Sequence, residues 1–297
     1  MSNDETIIAD PMSTVLQGQK RRAASLIQYN GSNIGFIVRL SDQRIVIGRT
    51  PESHVFVNEA SVSRSHAAIS STLAGFEIED LGSSNGTFIN DAKVAAKAIL
   101  KDGDVIRLGT ILFKFYETEN AEMLALDKIY RMATIDAGTD IFNKKYQLDS
   151  LTREMKYARQ FNRPVSIIYY DLDFFKKVND TLGHNGGDVV LKETAAVCKA
   201  AIRKNDIIGR YGGEEFVIVL PDTDQKVAAD LAERLRVAVM NHVVVVEVNG
   251  QKVQHRQTMS MGVSQMTPEM ATIEEFLESA DKKLYQSKQT GRNKVTV

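Results

Sequence analysis

A single cysteine, Cys198, stands in the 297-residue chain, so no disulfide can form within it, and the ordinary place for one such thiol is packed inside its helix. Tryptophan is absent and proline occurs only five times. No apolar stretch approaches the roughly 20 residues that a membrane-spanning helix needs, and the N-terminus lacks the basic-then-apolar order of a signal peptide. Charge of one sign is missing too. The 37 Lys and Arg against 38 Asp and Glu leave a net charge of −1, which gives no hint of a nucleic-acid partner. The five histidines are scattered, so no zinc site is indicated. What is left is a chain of the length expected for two domains of ordinary size.

Two acidic segments in the second half carry the strongest chemical signal. Residues 165–170 are β-branched and aromatic and read as a buried strand that delivers Asp171 and Asp173 at its C-terminal end. Residues 206–211 and 215–220 read as two more strands joined by the Gly212-Gly213 step, a tight turn needing positive φ, which puts Glu214 at a hairpin tip. Carboxylates on neighbouring strand ends can share one ion. Hard oxygen ligands suit Mg²⁺, which takes one or two protein carboxylates and completes its shell with water and substrate phosphates. Taken singly, each segment is equally a solvated acidic turn.

The run Gly212-Gly213-Glu214-Glu215-Phe216 resembles the signature of the GGDEF family of diguanylate cyclases in its GGEEF form. Asp171-Leu172-Asp173-Phe174-Phe175-Lys176, with Asn179 and Asp180, is similar to the family's D-x-D-x-F-K-x-x-N-D segment. Gly183-His184 with Gly187-Asp188 matches its G-H-x-x-G-D, and Ala280-Asp281 through Gly291-Arg292-Asn293 matches its closing A-D-x-x-L-Y-x-x-K-x-x-G-R-N. The motifs fall in family order over about half the chain. The resemblance implies an α/β palm of the nucleotidyl-cyclase kind, and condensation of two GTP into cyclic di-GMP with release of two pyrophosphates. It implies two Mg²⁺ per GTP site, with Mn²⁺ as an alternative, held by Asp171, Glu214, the Leu172 carbonyl and Glu215. Asn179 and Asp188 would read the guanine edge, an amide and a carboxylate together matching donors and acceptors that adenine leaves unpaired. Gly213, Lys176, Lys288 and Arg292 would hold the triphosphate, although Lys288 and Arg292 also suit a solvated helix end. Glu215 is the candidate general base, a task that metal-bound water can also perform. Because each half-site presents one GTP, the active form implied is a homodimer.

Arg203 and Asp206 match the family's RxxD product-inhibition site, with Arg234 as its second arginine; by spacing alone they are also an ordinary helix-end pair. Where the family usually shows D-x-L-T-G-L, this chain has Asp136-Ala137-Gly138-Thr139-Asp140-Ile141. A Gly gained and a Gly lost change the backbone angles open to that turn.

Short apolar runs punctuated by Gly, Ser and Asn between about residues 24 and 116 suggest a β-sandwich. Gly48-Arg49, Ser63-Arg64-Ser65-His66 and Asp80-Leu81-Gly82-Ser83-Ser84-Asn85-Gly86-Thr87 resemble the three signatures of the forkhead-associated (FHA) domain. The resemblance implies that Arg49, Ser63, Arg64 and Ser84 bind a phosphothreonine phosphate, that Asn85 holds the peptide backbone, and that His66 ties the loops together. A sandwich used only for constitutive assembly is the plainer alternative. Residues 1–23 are polar and aperiodic and read as a disordered tail; Thr6 or Thr14, once phosphorylated by a Ser/Thr kinase, is a candidate ligand for the FHA domain of the same or the partner chain.

The domain plan is therefore a tail over 1–23, an FHA domain over 24–117, a connecting helix over 118–135 and a GGDEF domain over 136–297. Within the last, helices are expected at 144–161, 188–204, 225–241 and 272–287, and a hairpin of 243–248 with 252–263 around Asn249-Gly250. A cytoplasmic protein with access to GTP and kinases follows. The competing functional classes are a non-catalytic receptor for GTP or cyclic di-GMP and a phosphoprotein-binding scaffold.

Overall fold

Alternation of apolar and polar residues builds the first unit. In the computed structural model, which describes residues 24–41, 43–50, 52–117 and 121–297, the chain divides between Ile129 and Tyr130. The strands before that point are β1 (Ala24–Gln28), β2 (Ile37–Leu40), β3 (Ile45–Gly48), β4 (Val55–Phe56), β5 (Ala67–Thr72), β6 (Gly75–Asp80), β7 (Thr87–Ile89), β8 (Ala92–Lys93), β9 (Lys97–Ile99), β10 (Val105–Leu108) and β11 (Ile111–Tyr116). They form a six-stranded sheet, β2-β1-β11-β10-β7-β8, and a five-stranded sheet, β4-β3-β5-β6-β9. Leu26, Ile106, Phe113 and Phe115 from one sheet and Ile47, Ile69, Phe76 and Ile78 from the other share one buried cluster. This is the sandwich expected from the spacing of short strands. Thr6 and Thr14 lie outside the described residues.

Helix α1 (Ala121–Thr134) occupies the expected connecting segment. Its Met123 is buried with Ile27 and Tyr116, and Leu126 packs against them.

The second unit is a sheet covered by helices on both faces. Strands β12 (Val165–Leu172), β13 (Ile207–Gly212), β14 (Glu215–Pro221), β17 (Met259–Gln265) and β18 (Val295–Thr296) lie in the order β13-β14-β12-β17-β18. All pairs are antiparallel except β17 with β18. Helices α2 (Lys144–Phe161), α3 (Phe175–Ala201), α4 (Gln225–Asn241) and α5 (Ile273–Gln289) pack around it. All eight residues of β12 are buried, which is why the run reads as continuously apolar rather than alternating. Side chains of Ile168, Tyr170, Phe216 and Ile218 join the core shared with α3 and α4, while Ile167, Tyr169, Val217 and Val219 join the core shared with α2 and α5. Cys198 is fully buried in α3, and burial pushes its thiol up to about 12.

Two expected elements come out differently. The helix expected at 188–204 starts far earlier, at Phe175, and ends at Ala201; it is broken at Gly183, whose φ of 73° and ψ of 168° are not helical. The strand expected over 252–263 is two strands, β16 (Gln251–His255), which pairs with β15 (Val244–Val248), and β17, which belongs to the central sheet. The intervening Gln257 is buried and donates to the carbonyls of Asp173 and Thr258, so the chain changes sheets at an inward-pointing amide.

Candidate functional site

Strand β12 carries Asp171 into the site on the face determined by its pleat. Odd-numbered side chains of β12 point toward α5, and Lys288 near the end of that helix reaches Asp171, Nζ to Oδ2 2.8 Å. The hairpin β13–β14 sets Glu215 directly opposite Asp171, and the Leu172 amide donates to the Glu214 carbonyl at 3.3 Å. Gly212 pairs with Glu215, so Gly213 and Glu214 are the two turn residues. Gly213 alone of the two adopts positive φ, 40°, rather than both glycines of the step. Arg210 fastens this turn from below, donating through Nε to the Gly213 carbonyl at 2.8 Å and pairing with Asp136 at 3.2 Å.

Burial raises the pKa of Asp171 to about 6; Lys288 opposes that rise, while Glu214 and Glu215 add to it. A buried acid crowded by two carboxylates and touched by an ammonium group is a natural seat for a cation. Among the described residues, no group of three or more acidic, imidazole or thiol side chains converges on one point. Hard oxygen donors in this number fit a magnesium-like ion, which keeps several ligand positions for water and phosphate.

Asp173 does something else. Its carboxylate is already satisfied: Ser260 Oγ and Thr258 Oγ1 donate to it at 2.6 and 2.8 Å, and the Asn293 amide at 3.0 Å. Only 4% of Asp173 is exposed.

The helix break at Gly183 folds the second half of α3 back over the first. As a result the Oδ1 of Asn179 lies 1.9 Å from where a Cβ on Gly187 would be, so a larger residue next to Asp188 would displace the Asn179 amide. Asn179 and Asp188 are thereby brought to neighbouring places on α3, with Asp188 exposed. Lys176 and Arg292 are also exposed; the Arg292 guanidinium lies over the Phe174 ring, 4.5 Å from its centroid.

Away from this cluster, Arg203, Asp206 and Arg234 line one small depression with Leu220, Val227 and Leu231. The Arg203 amide donates to Asp206 at 2.8 Å, and burial raises the Asp206 pKa. In the divergent turn, Asp140 itself takes positive φ, 57°, and pairs with Arg131 at 2.6 Å. The glycine has moved to Gly138, where a Cβ would stand 3.0 Å from Nη1 of Arg210.

The sandwich loops form a second cluster. Arg49 donates to the Ser63 carbonyl at 2.9 Å and to the Val62 carbonyl at 3.1 Å. The Ser84 amide donates to Ser63 Oγ at 3.0 Å, and Asn85 Nδ2 to the Ser61 carbonyl at 2.8 Å. Arg64, Ser84 and Asn85 are exposed. Beneath them His66 is fully buried: Nδ1 accepts from the Ser63 amide at 3.1 Å, leaving Nε2 to donate to the Gly86 carbonyl at 3.1 Å. Burial lowers the His66 pKa. Burial alone would raise that of Asp80, but the hydroxyls of Thr87 and Ser83 and the amides of Ser83 and Gly82 outweigh it and hold the carboxyl at about 2.

Sequence reasoning missed Asp173 as a hub, Phe174 as a support and Arg210 as a turn clamp. The residues that define those roles are distant in the chain, so no local pattern announces them.

The FHA domain model matches residues 45–109, and the model for the GGDEF domain of diguanylate cyclases matches residues 133–294. Diguanylate cyclase A of Treponema denticola is 37% identical over 57% of this chain and 46% of its own length. Response regulator PleD of Caulobacter vibrioides is 41% identical over 57% of this chain and 37% of its own. The chain thus spans less than half the length of these curated relatives. Among solved structures, the GGDEF domain of DgcB from Caulobacter crescentus, in complex with c-di-GMP, is 33% identical with a TM-score of 0.52, covering 55% of this chain and 92% of that one. With more than half its residues matched by the family model, the chain belongs to the GGDEF family of diguanylate cyclases.

Proposed function

We propose that the GGDEF domain, residues 136–297 of the second unit, condenses two GTP into cyclic di-GMP. The observation that carries this reading is the cluster of Asp171, Glu214, Glu215 and Lys288 held at one end of the sheet by the register of β12 with β14. Asp171, Glu214, Glu215 and the Leu172 carbonyl would hold divalent metal, Mg²⁺ or Mn²⁺. Such a metal, when bound, acidifies a hydroxyl and offsets phosphate charge. In each of two steps a ribose 3′-oxygen forms a bond to the α-phosphorus of the other GTP as the bond to pyrophosphate breaks. In this reading Glu215 receives the hydroxyl proton, Lys176, Lys288, Arg292 and the backbone at Gly213 hold the triphosphate, and Asn179 with Asp188 orients guanine. Each unit presents one GTP, so the active form is a homodimer with two such units face to face.

The FHA domain, residues 24–117, binds phosphothreonine through Arg49, Ser63, Arg64, Ser84 and Asn85, from the chain's own tail at Thr6 or Thr14 or from another protein. The product returns to Arg203, Asp206 and Arg234 as an inhibitor. Supporting the latter is the meeting of two arginines and a carboxylate in one depression. Among the described residues no helix is long and apolar enough to cross a membrane; the compartment that holds GTP and kinases, the cytoplasm, is its place in this reading.

The test is product identity and pyrophosphate release from GTP with Mg²⁺, after bound cyclic di-GMP is stripped, with Glu214→Ala as control. Cyclic di-GMP from the wild type alone upholds the enzyme. GTP binding without turnover, persisting after phosphorylation, would make the unit a receptor.

A further inference from the structure

Phe174 is an anomaly in three respects. It is the N-cap of α3, a position favouring Ser, Thr, Asp or Asn, yet it makes no capping hydrogen bond. Its φ is 55°, a conformation that a bulky residue rarely adopts. The residue is 63% exposed although those on either side, Asp173 and Phe175, are buried. Neither folding nor burial accounts for a phenyl ring in that place.

The ring does have a partner, the Arg292 guanidinium at 4.5 Å from its centroid. Arg292 sits in a turn of the same unusual character: Gly291, Arg292 and Asn293 have φ of 117°, 60° and 44°. That turn is anchored from below. The Asn293 amide donates to Asp173 at 3.0 Å, its Oδ1 accepts from Arg236 at 2.8 Å, and the Arg292 amide donates to the Ser287 carbonyl at 3.0 Å. Asp173 in turn is fixed by Ser260 and Thr258. Two adjacent residues therefore hold two parts of one turn, Asp173 its backbone and Phe174 its cationic head.

We infer that Asp173 and Phe174 are positioning residues for Arg292, presenting its guanidinium to the polyphosphate of GTP. A flexible arginine loses rotamer freedom when it grips a ligand, and a ring stacked on one face of the guanidinium removes part of that loss beforehand while leaving its edge donors free. Local strain at Phe174 is then the cost of aiming the ring, the kind of outlier that marks a functional position. The inference rests on the GTP-binding reading of this site.

Titration of the full chain with a non-hydrolysable GTP analogue and Mg²⁺, alongside steady-state kinetics, tests it. Phe174→Leu should weaken analogue affinity and raise KM by roughly three- to tenfold, with kcat within about twofold. Phe174→Trp should restore both. In an Arg292→Ala background, Phe174→Leu should have no further effect, because the two share one interaction. Asp173→Asn should weaken affinity as well, and its melting temperature separates that loss from unfolding. Equal losses with and without Arg292, or no rescue by Trp, would overturn the role of Phe174. A wild type that binds no analogue would instead overturn the GTP reading, and the inference with it.

Discussion

The two candidate sites handle negative charge in opposite ways. In the sandwich, the Asp80 carboxylate near the loops accepts from hydroxyls and amides, and four such bonds hold it at about 2. The loops are tied to one another before any ligand arrives, through Ser63, Ser61 and His66. At the sheet end of the second unit, Asp171 is buried, crowded by Glu214 and Glu215 and raised to about 6, with Lys288 its close cation. The first arrangement presents ready-made donors; the second gathers carboxylates around a single ammonium group. Preorganisation thus lies in neutral hydrogen bonds in one site and in backbone register in the other.

Glu214→Ala should break that contrast most severely, lowering cyclic di-GMP formation by about 10³-fold while the melting temperature holds, since the hairpin tip is stabilised by backbone pairing and Arg210. Arg49→Ala should reduce binding of a phosphothreonine peptide by roughly 10²-fold, measured by titration; an unchanged affinity would leave the sandwich as a scaffold. Gly187→Ala puts a methyl where Asn179 Oδ1 lies, so KM for GTP should rise about tenfold and discrimination against ATP should fall.

The smallest expected effect is on pH dependence. The folded pKa of Asp80 lies below its unfolded value near 3.8, so its stabilising contribution is present above that value and is lost as pH falls through about 2. His66 is held below its ordinary 6.5, so the unfolded chain takes up a proton first and stability begins to fall as pH drops below 6.5. Thermal melts of the sandwich should therefore soften in two acid steps. Asp80→Asn should remove the lower step, and a melt insensitive to pH between about 7 and 5 would contradict the role given to His66.

How much of this was legible depends on distance along the chain. Strand β12 and helices α2, α4 and α5 were readable because burial and capping leave local marks: Asn143 and Asp224 cap α2 and α4, and Thr272 with Glu275 forms a capping box on α5. The break at Gly183 was not readable, since glycines at 183, 186 and 187 look alike in sequence and only one leaves the helical region. The split of 252–263 hid for a related reason: no Gly or Pro marks 256–258, and the buried amide of Gln257 answers to Asp173, 84 residues away. Asp171 and Asp173 leave the same strand end, yet partners 85 and 87 positions further along make Asp173 a hub, while Asp171 meets Lys288. At Asp140 the letter departs from the family pattern but the conformation does not need glycine, because Asp tolerates the left-handed region.

The pairing of Asp171 opposite Glu215 also decides what kinds of genetic change the site can survive. A substitution at the hairpin alters one side chain. An inserted or deleted codon within β14 shifts its period-two pattern by one, turning Glu215 toward the helices α3 and α4 and Phe216 toward Asp171. Variation in length should therefore collect in other loops of this unit, while the span from Arg210 to Phe216 drifts in letter but keeps its count.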